Sequence, residues 1–219
     1  MTEFLNDGPA DAFARICLAH GAGAAMTSPF LEKMTLLLTE RGLQVSRFEF
    51  DYMAARRTAG KRRPPPRAEL LMPEYRSAVE HLRAQGADRQ RLIIGGKSMG
   101  GRVASLVADE LFAAGLIDGL ICLGYPFHPP AKPENQRTAH LEALRCPALI
   151  IQGERDPFGA RAEVEGYRLS DNIEIRWAGD GDHDLGPRGG SGFTRAANLA
   201  LAADAIAAFA GSVGAPSRG

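Results

Sequence analysis

The sequence predicts a three-layer α/β/α sandwich built on a mostly parallel sheet. Two observations carry this. Short apolar or β-branched runs alternate with amphipathic helical patterns through most of the chain. Several of those runs are apolar on consecutive residues, as expected of strands covered on both faces. A length of 219 residues suits one domain with a sizeable core, and no repeat or long linker divides it. A single domain over 1–211 with a flexible tail over 212–219 is therefore expected.

In chain order, the first strand is Arg15–Ala19. A helix follows from Thr27 or Ser28, with Pro29 pre-set for its first turn, and stops at Gly42. Its Phe30, Met34, Leu37 and Leu38 share one face. The next strand is Gln44–Phe50. From Ala54 to Arg67 come Arg56, Arg57, Lys61, Arg62, Arg63, Arg67 and the run Pro64–Pro65–Pro66. Prolines and like charges oppose a packed helix, so this stretch reads as a surface loop in extended or polyproline conformation. It is either solvated or a docking site for an acidic substrate or protein partner, through the basic segment Arg56–Arg67. A helix over Glu74–Gln85, a strand over Arg91–Ile94 and a helix from Met99 to Phe112 come next. Val103, Leu106, Val107 and Leu111 recur at helical spacing in the last of these. Strand Gly119–Leu123 leads into a proline-rich segment, Tyr125–Glu134, at a position where α/β folds place binding loops. Strands Ala148–Gln152 and Ile173–Ala178 and an alanine-rich helix over Thr194–Ala210, ended by Gly211, complete the set.

Composition removes several classes. Lysine plus arginine and aspartate plus glutamate both number 26, so no global basic field points to nucleic acid. No stretch approaches the ~20 apolar residues of a membrane span, and the first apolar run is too short for a signal sequence, so a cytoplasmic location is expected. Cys17, Cys122 and Cys146 match no zinc or redox spacing and read as structural.

The chemistry resides in three loops at strand ends. Gly95–Gly96–Lys97–Ser98–Met99–Gly100–Gly101 joins a strand to an amphipathic helix, and Gly96-x-Ser98-x-Gly100 matches a nucleophile elbow. A serine on so tight a turn takes a strained backbone, and glycines two residues away on each side remove side-chain collisions. The turn also aims the Met99 N–H at a developing oxyanion. A nucleophilic serine needs a base, and the base an orienting acid. Asp156 follows one later strand and His183 another, in the order Ser, Asp, His. The alternatives are that Asp156 merely starts a turn before Pro157, that Glu154 is the acid, and that His183 is a surface residue. Asp182 or Asp184 is a further alternative acid, and with Asp180 they suggest a metal site less readily than a solvated turn. Ala22 and Gly23, in the loop after the first strand, are the candidates for the second oxyanion donor, with His20 holding that loop. Tyr125, Phe127 and His128 are the candidate substrate-binding residues. No cofactor or metal is called for.

With these motifs in place the chain resembles the α/β-hydrolases and extends the likeness over nearly its whole length. Within them it is similar to the branch related to testis-expressed protein 30 and the third regulatory subunit of the NSL acetyltransferase complex. The residues carrying that resemblance are His20–Gly21–Ala22–Gly23–Ala24, Gly95 to Arg102, Tyr125 to Pro130, Leu144 to Pro147, Gln152 to Gly159 and Gly181 to Asp184. It also resembles the compact dienelactone hydrolases, whose nucleophile is cysteine where this chain has Ser98. The resemblance implies an intact triad and little or no lid. The resulting expectation is a carboxylesterase- or thioesterase-like hydrolase acting on a small ester or thioester through an acyl-serine. A non-catalytic interaction module on the same fold is the alternative, and transfer to an acceptor other than water a weaker one.

Overall fold

The computed structural model describes residues 3–59, 64–85 and 90–214, without the side chains of 57–59. Seven strands form one sheet: β1 (Phe4–Asp7), β2 (Ala14–Ala19), β3 (Gln44–Phe48), β4 (Arg91–Lys97), β5 (Gly119–Leu123), β6 (Ala148–Gly153) and β7 (Ile173–Ala178). Their spatial order is β1-β3-β2-β4-β5-β6-β7. β1 runs antiparallel to β3, and every other pairing is parallel. β3, β5 and β6 are buried at every residue; β5 and the Ala148–Ile151 part of β6 accordingly read as unbroken apolar runs, β3 carries Gln44, Ser46 and Arg47 inside the fold, and the edge strand β7 alternates.

Helices α1 (Pro29–Thr39) and α6 (Arg195–Ser212) cover one face. Helices α3 (Met72–Ala84) and α4 (Met99–Ala113) cover the other. On the first face Leu31, Met34 and Leu38 meet Ile16, Val45 and Ile206. On the second, Tyr75, Val79 and Leu82 meet Ile94, Val103 and Val107. All three cysteines are buried and free, and burial pushes the Cys17 and Cys146 thiols up to about 12. No helix among the described residues is long and apolar enough to cross a membrane.

The structure corrects the sequence reading at four places. β1 was not foreseen. The stretch expected to be a loop from Ala54 is helical as far as Ala59, as α2 (Asp51–Ala59). The Phe50 carbonyl accepts the Met53 and Ala54 N–H groups, which starts this helix and ends β3 short of the predicted Phe50. Arg56 also lies over the Tyr52 ring one turn back, at 5.2 Å. Residues 60–63 of the basic segment lie outside the described residues. A short helix, α5 (Arg161–Val164), was likewise not foreseen. The expected tail begins later than predicted: α6 reaches Ser212 and Val213 packs into the core, while 215–219 lie outside the described residues.

The order of strands reverses around β2, with β3 on one side and β4 on the other. At such a switch point the loops leaving the two strands diverge to opposite faces and leave a crevice at their carboxyl ends. The loop after β2 and the turn after β4 both open there.

Candidate active site

Ser98 caps α4 with φ 52° and ψ −113°, a left-handed backbone on a residue that is not glycine. Its N–H donates to the Leu123 carbonyl at 2.9 Å, and its carbonyl accepts the Arg102 N–H at 3.0 Å. The flanking glycines are required by contact. A Cβ on Gly96 would collide with the Ala19 carbonyl, and one on Gly100 would sit 2.5 Å from that same oxygen and 2.7 Å from the His20 carbonyl. The turn is thus pressed against the end of β2, and a Cβ on Gly21 would lie 3.9 Å from that of Ser98.

β6 delivers Asp156 and β7 delivers His183, and the two meet. The His183 Nδ1–H donates to Asp156 Oδ2 at 2.7 Å. Asp156 is fully buried, and its carboxylate is saturated: Gln152 Nε2 donates to Oδ2 at 3.0 Å and the Phe158 N–H to Oδ1 at 2.9 Å. The His183 ring lies on Phe158 with centroids 4.4 Å apart. With Nδ1 committed as a donor, Nε2 is the free acceptor of the ring. Among the described residues, neither His183 Nε2 nor Ser98 Oγ has a hydrogen-bond partner; both residues are partly exposed, and Ser98 lines the cavity described below.

The competing carboxylates are occupied elsewhere. Glu154 accepts the Asp180 N–H at 2.8 Å and pairs with Arg161. Asp180 binds Arg188 at 2.6 Å and Arg155 at 2.8 Å, and the hydrogen bond from Arg188 above all holds it down to about 2. Asp182 accepts the N–H groups of Asp184 and Gly186 in its own turn. Asp184 pairs with Lys97 at 3.2 Å. Lys97, which precedes the serine, also donates to the His183 carbonyl at 2.7 Å. Burial lowers its pKa from the ordinary lysine value, against the pull of Asp184.

The Met99 and Ala22 N–H groups, both expected to hold an oxyanion, have no hydrogen-bond partner among the described residues. Both residues line a cavity of about 560 Å³ with Ser98, Phe158 and Pro126, whereas Gly23 is exposed and does not line it. His20 secures this loop. The Phe50 N–H donates to its Nε2 at 3.2 Å, so Nδ1 carries the hydrogen and donates to the Gly21 carbonyl at 2.7 Å. Burial pulls the imidazole down to about 4, so it is neutral near pH 7.

The substrate-binding candidates need correction. Tyr125 and Phe127 are fully buried in the core. The Tyr125 hydroxyl donates to the Arg137 carbonyl, and the two rings pack against each other at 4.9 Å. Pro126, between them, is the residue that lines the cavity. His128 is buried as well, its Nδ1–H donating to the Pro129 carbonyl at 2.9 Å. Apolar rings after a strand are drawn into the core more strongly than into a wet crevice. Gln152, Phe158, Lys97 and Arg137 escaped the sequence reading. Only Gln152 left a signal, as an amide at the end of an otherwise apolar strand.

A family model described as an alpha/beta hydrolase domain matches residues 12–211. Solved structures of similar fold include a dienelactone hydrolase from Anabaena variabilis, 20% identical with a TM-score of 0.68, covering 93% of this chain and 89% of that one. Another is a serine hydrolase without a lid from Xanthomonas campestris, 17% identical with a TM-score of 0.66, covering 98% and 90%. A third is Est1E from Butyrivibrio proteoclasticus, 14% identical with a TM-score of 0.67, covering 94% and 91%.

Proposed function

The chain belongs to the alpha/beta hydrolase domain family, and from that premise we propose that it is a serine hydrolase cleaving a small ester or thioester. The observation carrying this reading is the 2.7 Å bond from His183 to a buried, fully bonded Asp156, at the sheet edge where Ser98 sits on its strained turn. Ser98 Oγ attacks the acyl carbon while His183 Nε2 takes its proton. Asp156 holds the imidazole tautomer and stabilises the imidazolium. The N–H groups of Met99 and Ala22 receive the oxyanion; losing one such donor typically costs about 2.7–4 kcal/mol. As the tetrahedral intermediate collapses, the bond to the leaving alcohol or thiol breaks and His183 returns the proton to it. Water, deprotonated by the same ring, then releases the acid and restores the serine.

Similarity to the testis-expressed protein 30 branch, a single domain and a cytoplasmic location belong to this reading. The crevice opens to solvent without a covering insertion between β5 and β6, which suits a small or exposed ester. Fluorophosphonate labelling tests it. Wild type should label, and Ser98→Ala and His183→Ala should not. Folded wild type that resists the probe would overturn the assignment and favour a binding module on the same fold.

A further inference from the structure

The cavity beside Ser98 has a charge that hydrolysis does not require. Three arginines line it, Arg67, Arg102 and Arg137, with one glutamate, Glu69. Arg102 lies one helical turn from Ser98, its N–H bonded to the Ser98 carbonyl, and both residues line the cavity. Its Nη2 binds Glu69 at 2.6 Å, but its buried Nε has no partner among the described residues. Arg137 is placed by its backbone: its N–H donates to the Phe127 carbonyl at 2.7 Å and its carbonyl accepts the Tyr125 hydroxyl. Its guanidinium makes one long bond, 3.5 Å to the Pro126 carbonyl, and has no carboxylate partner among the described residues. Burial and then the adjacent Arg102 charge lower its pKa from the ordinary arginine value, against smaller upward pulls from Tyr125 and Glu69.

Buried or half-buried cations are normally paired. Arg102, with an unsatisfied Nε, and Arg137, with no carboxylate partner among the described residues, both line one cavity and make up an anion site. The rest of the wall, Met99, Phe158, Pro126 and Ala22, is apolar and lies about the nucleophile. We propose that the substrate carries an anionic group, a carboxylate or phosphate, held by Arg102 and Arg137 while its apolar portion and scissile carbonyl rest against Ser98. This inference rests on the hydrolase reading for the word substrate, but not for the anion site itself.

Calorimetry on Ser98→Ala protein tests binding without turnover, using monomethyl glutarate, its neutral isostere methyl pentanoate, and the methyl ester of 4-phosphonobutyrate. The anions should bind at least about tenfold more tightly than the neutral ester, the size of one charge-assisted bond pair. That advantage should shrink about tenfold in the Ser98→Ala, Arg137→Gln double variant, recover in part with Arg137→Lys, and fall as ionic strength rises. A phosphonate advantage over the carboxylate assigns a phosphate, and the reverse a carboxylate. Equal affinity for charged and neutral esters would overturn the inference, as would a preference that survives both Arg137→Gln and Arg102→Gln. Fluorophosphonate labelling of wild type separates the two claims. Labelling without anion preference sinks only this inference, and anion preference without labelling sinks only the hydrolase.

Discussion

Replacing Asp156 by asparagine perturbs a fully buried carboxylate that accepts three hydrogen bonds. The amide must put its NH₂ where one carboxylate oxygen was. At the Oδ2 position it would face two donors, His183 Nδ1–H and Gln152 Nε2. At the Oδ1 position it faces one, the Phe158 N–H. The second orientation is therefore favoured, and it leaves His183 an oxygen to bond while orphaning the Phe158 N–H. That orphan should lower stability by about 1–3 kcal/mol. The imidazole keeps its tautomer but loses the charge that supports its protonated form. The activity loss should accordingly be about 10²–10³ in kcat/KM, short of the ~10⁴ seen when an amide flips the tautomer. Urea unfolding reads the first number, and fluorophosphonate labelling rates with p-nitrophenyl acetate turnover read the second. Unchanged stability would refute the bonding pattern. Lowered stability with labelling within about threefold of wild type would remove Asp156 from the orienting role.

Three further outcomes follow from the same geometry. Ser98→Gly should abolish labelling yet raise stability by up to about 1 kcal/mol, because glycine relieves the left-handed backbone; a less stable variant in urea would show that the turn is not strained. His20 should contribute a pH dependence: its folded value near 4 lies below the ordinary 6.5, so the unfolded chain takes up the proton first. Its contribution, at most about 3 kcal/mol, is complete above pH 6.5 and is lost as the pH falls towards 4, so His20→Asn should flatten urea midpoints measured across that window. Lys97→Met removes the ammonium that holds the His183 carbonyl; kcat should fall about 10–100-fold with KM little changed, and an equal rise in KM would argue for substrate contact instead.

How much of this was legible depends on how local each cause is. Six of seven strands and the four long helices announce themselves through consecutive apolar residues, apolar–polar alternation or helical spacing. β1 does not, because Phe4–Asp7 has four residues and owes its existence to pairing with β3 some forty residues on. α2 was hidden by its arginines; it is started by the Phe50 carbonyl, and Arg56 lies over the Tyr52 ring. Ser98, Asp156 and His183 stand in strand-end loops with recognisable neighbours. Lys97 and Gln152 act across the chain, to residues 86 and 27 positions away, and Arg137 to one 11 away, and no pattern of spacing foretells such partnerships.

Part of the cavity wall has a separate origin from the loops that carry Ser98, Asp156 and His183, while Ala22, Met99, Arg102 and Phe158 belong to those loops and to α4. Ser98, Asp156 and His183 ride on short turns fixed to the ends of β4, β6 and β7, where a displaced residue would disturb the sheet itself. The rims come from Pro65–Glu69 and from Pro126 and Arg137, in connections that add no strand. On the hydrolase reading, substitutions or length changes in those two connections would reshape part of the pocket's rim while leaving Ser98, Asp156 and His183 in place.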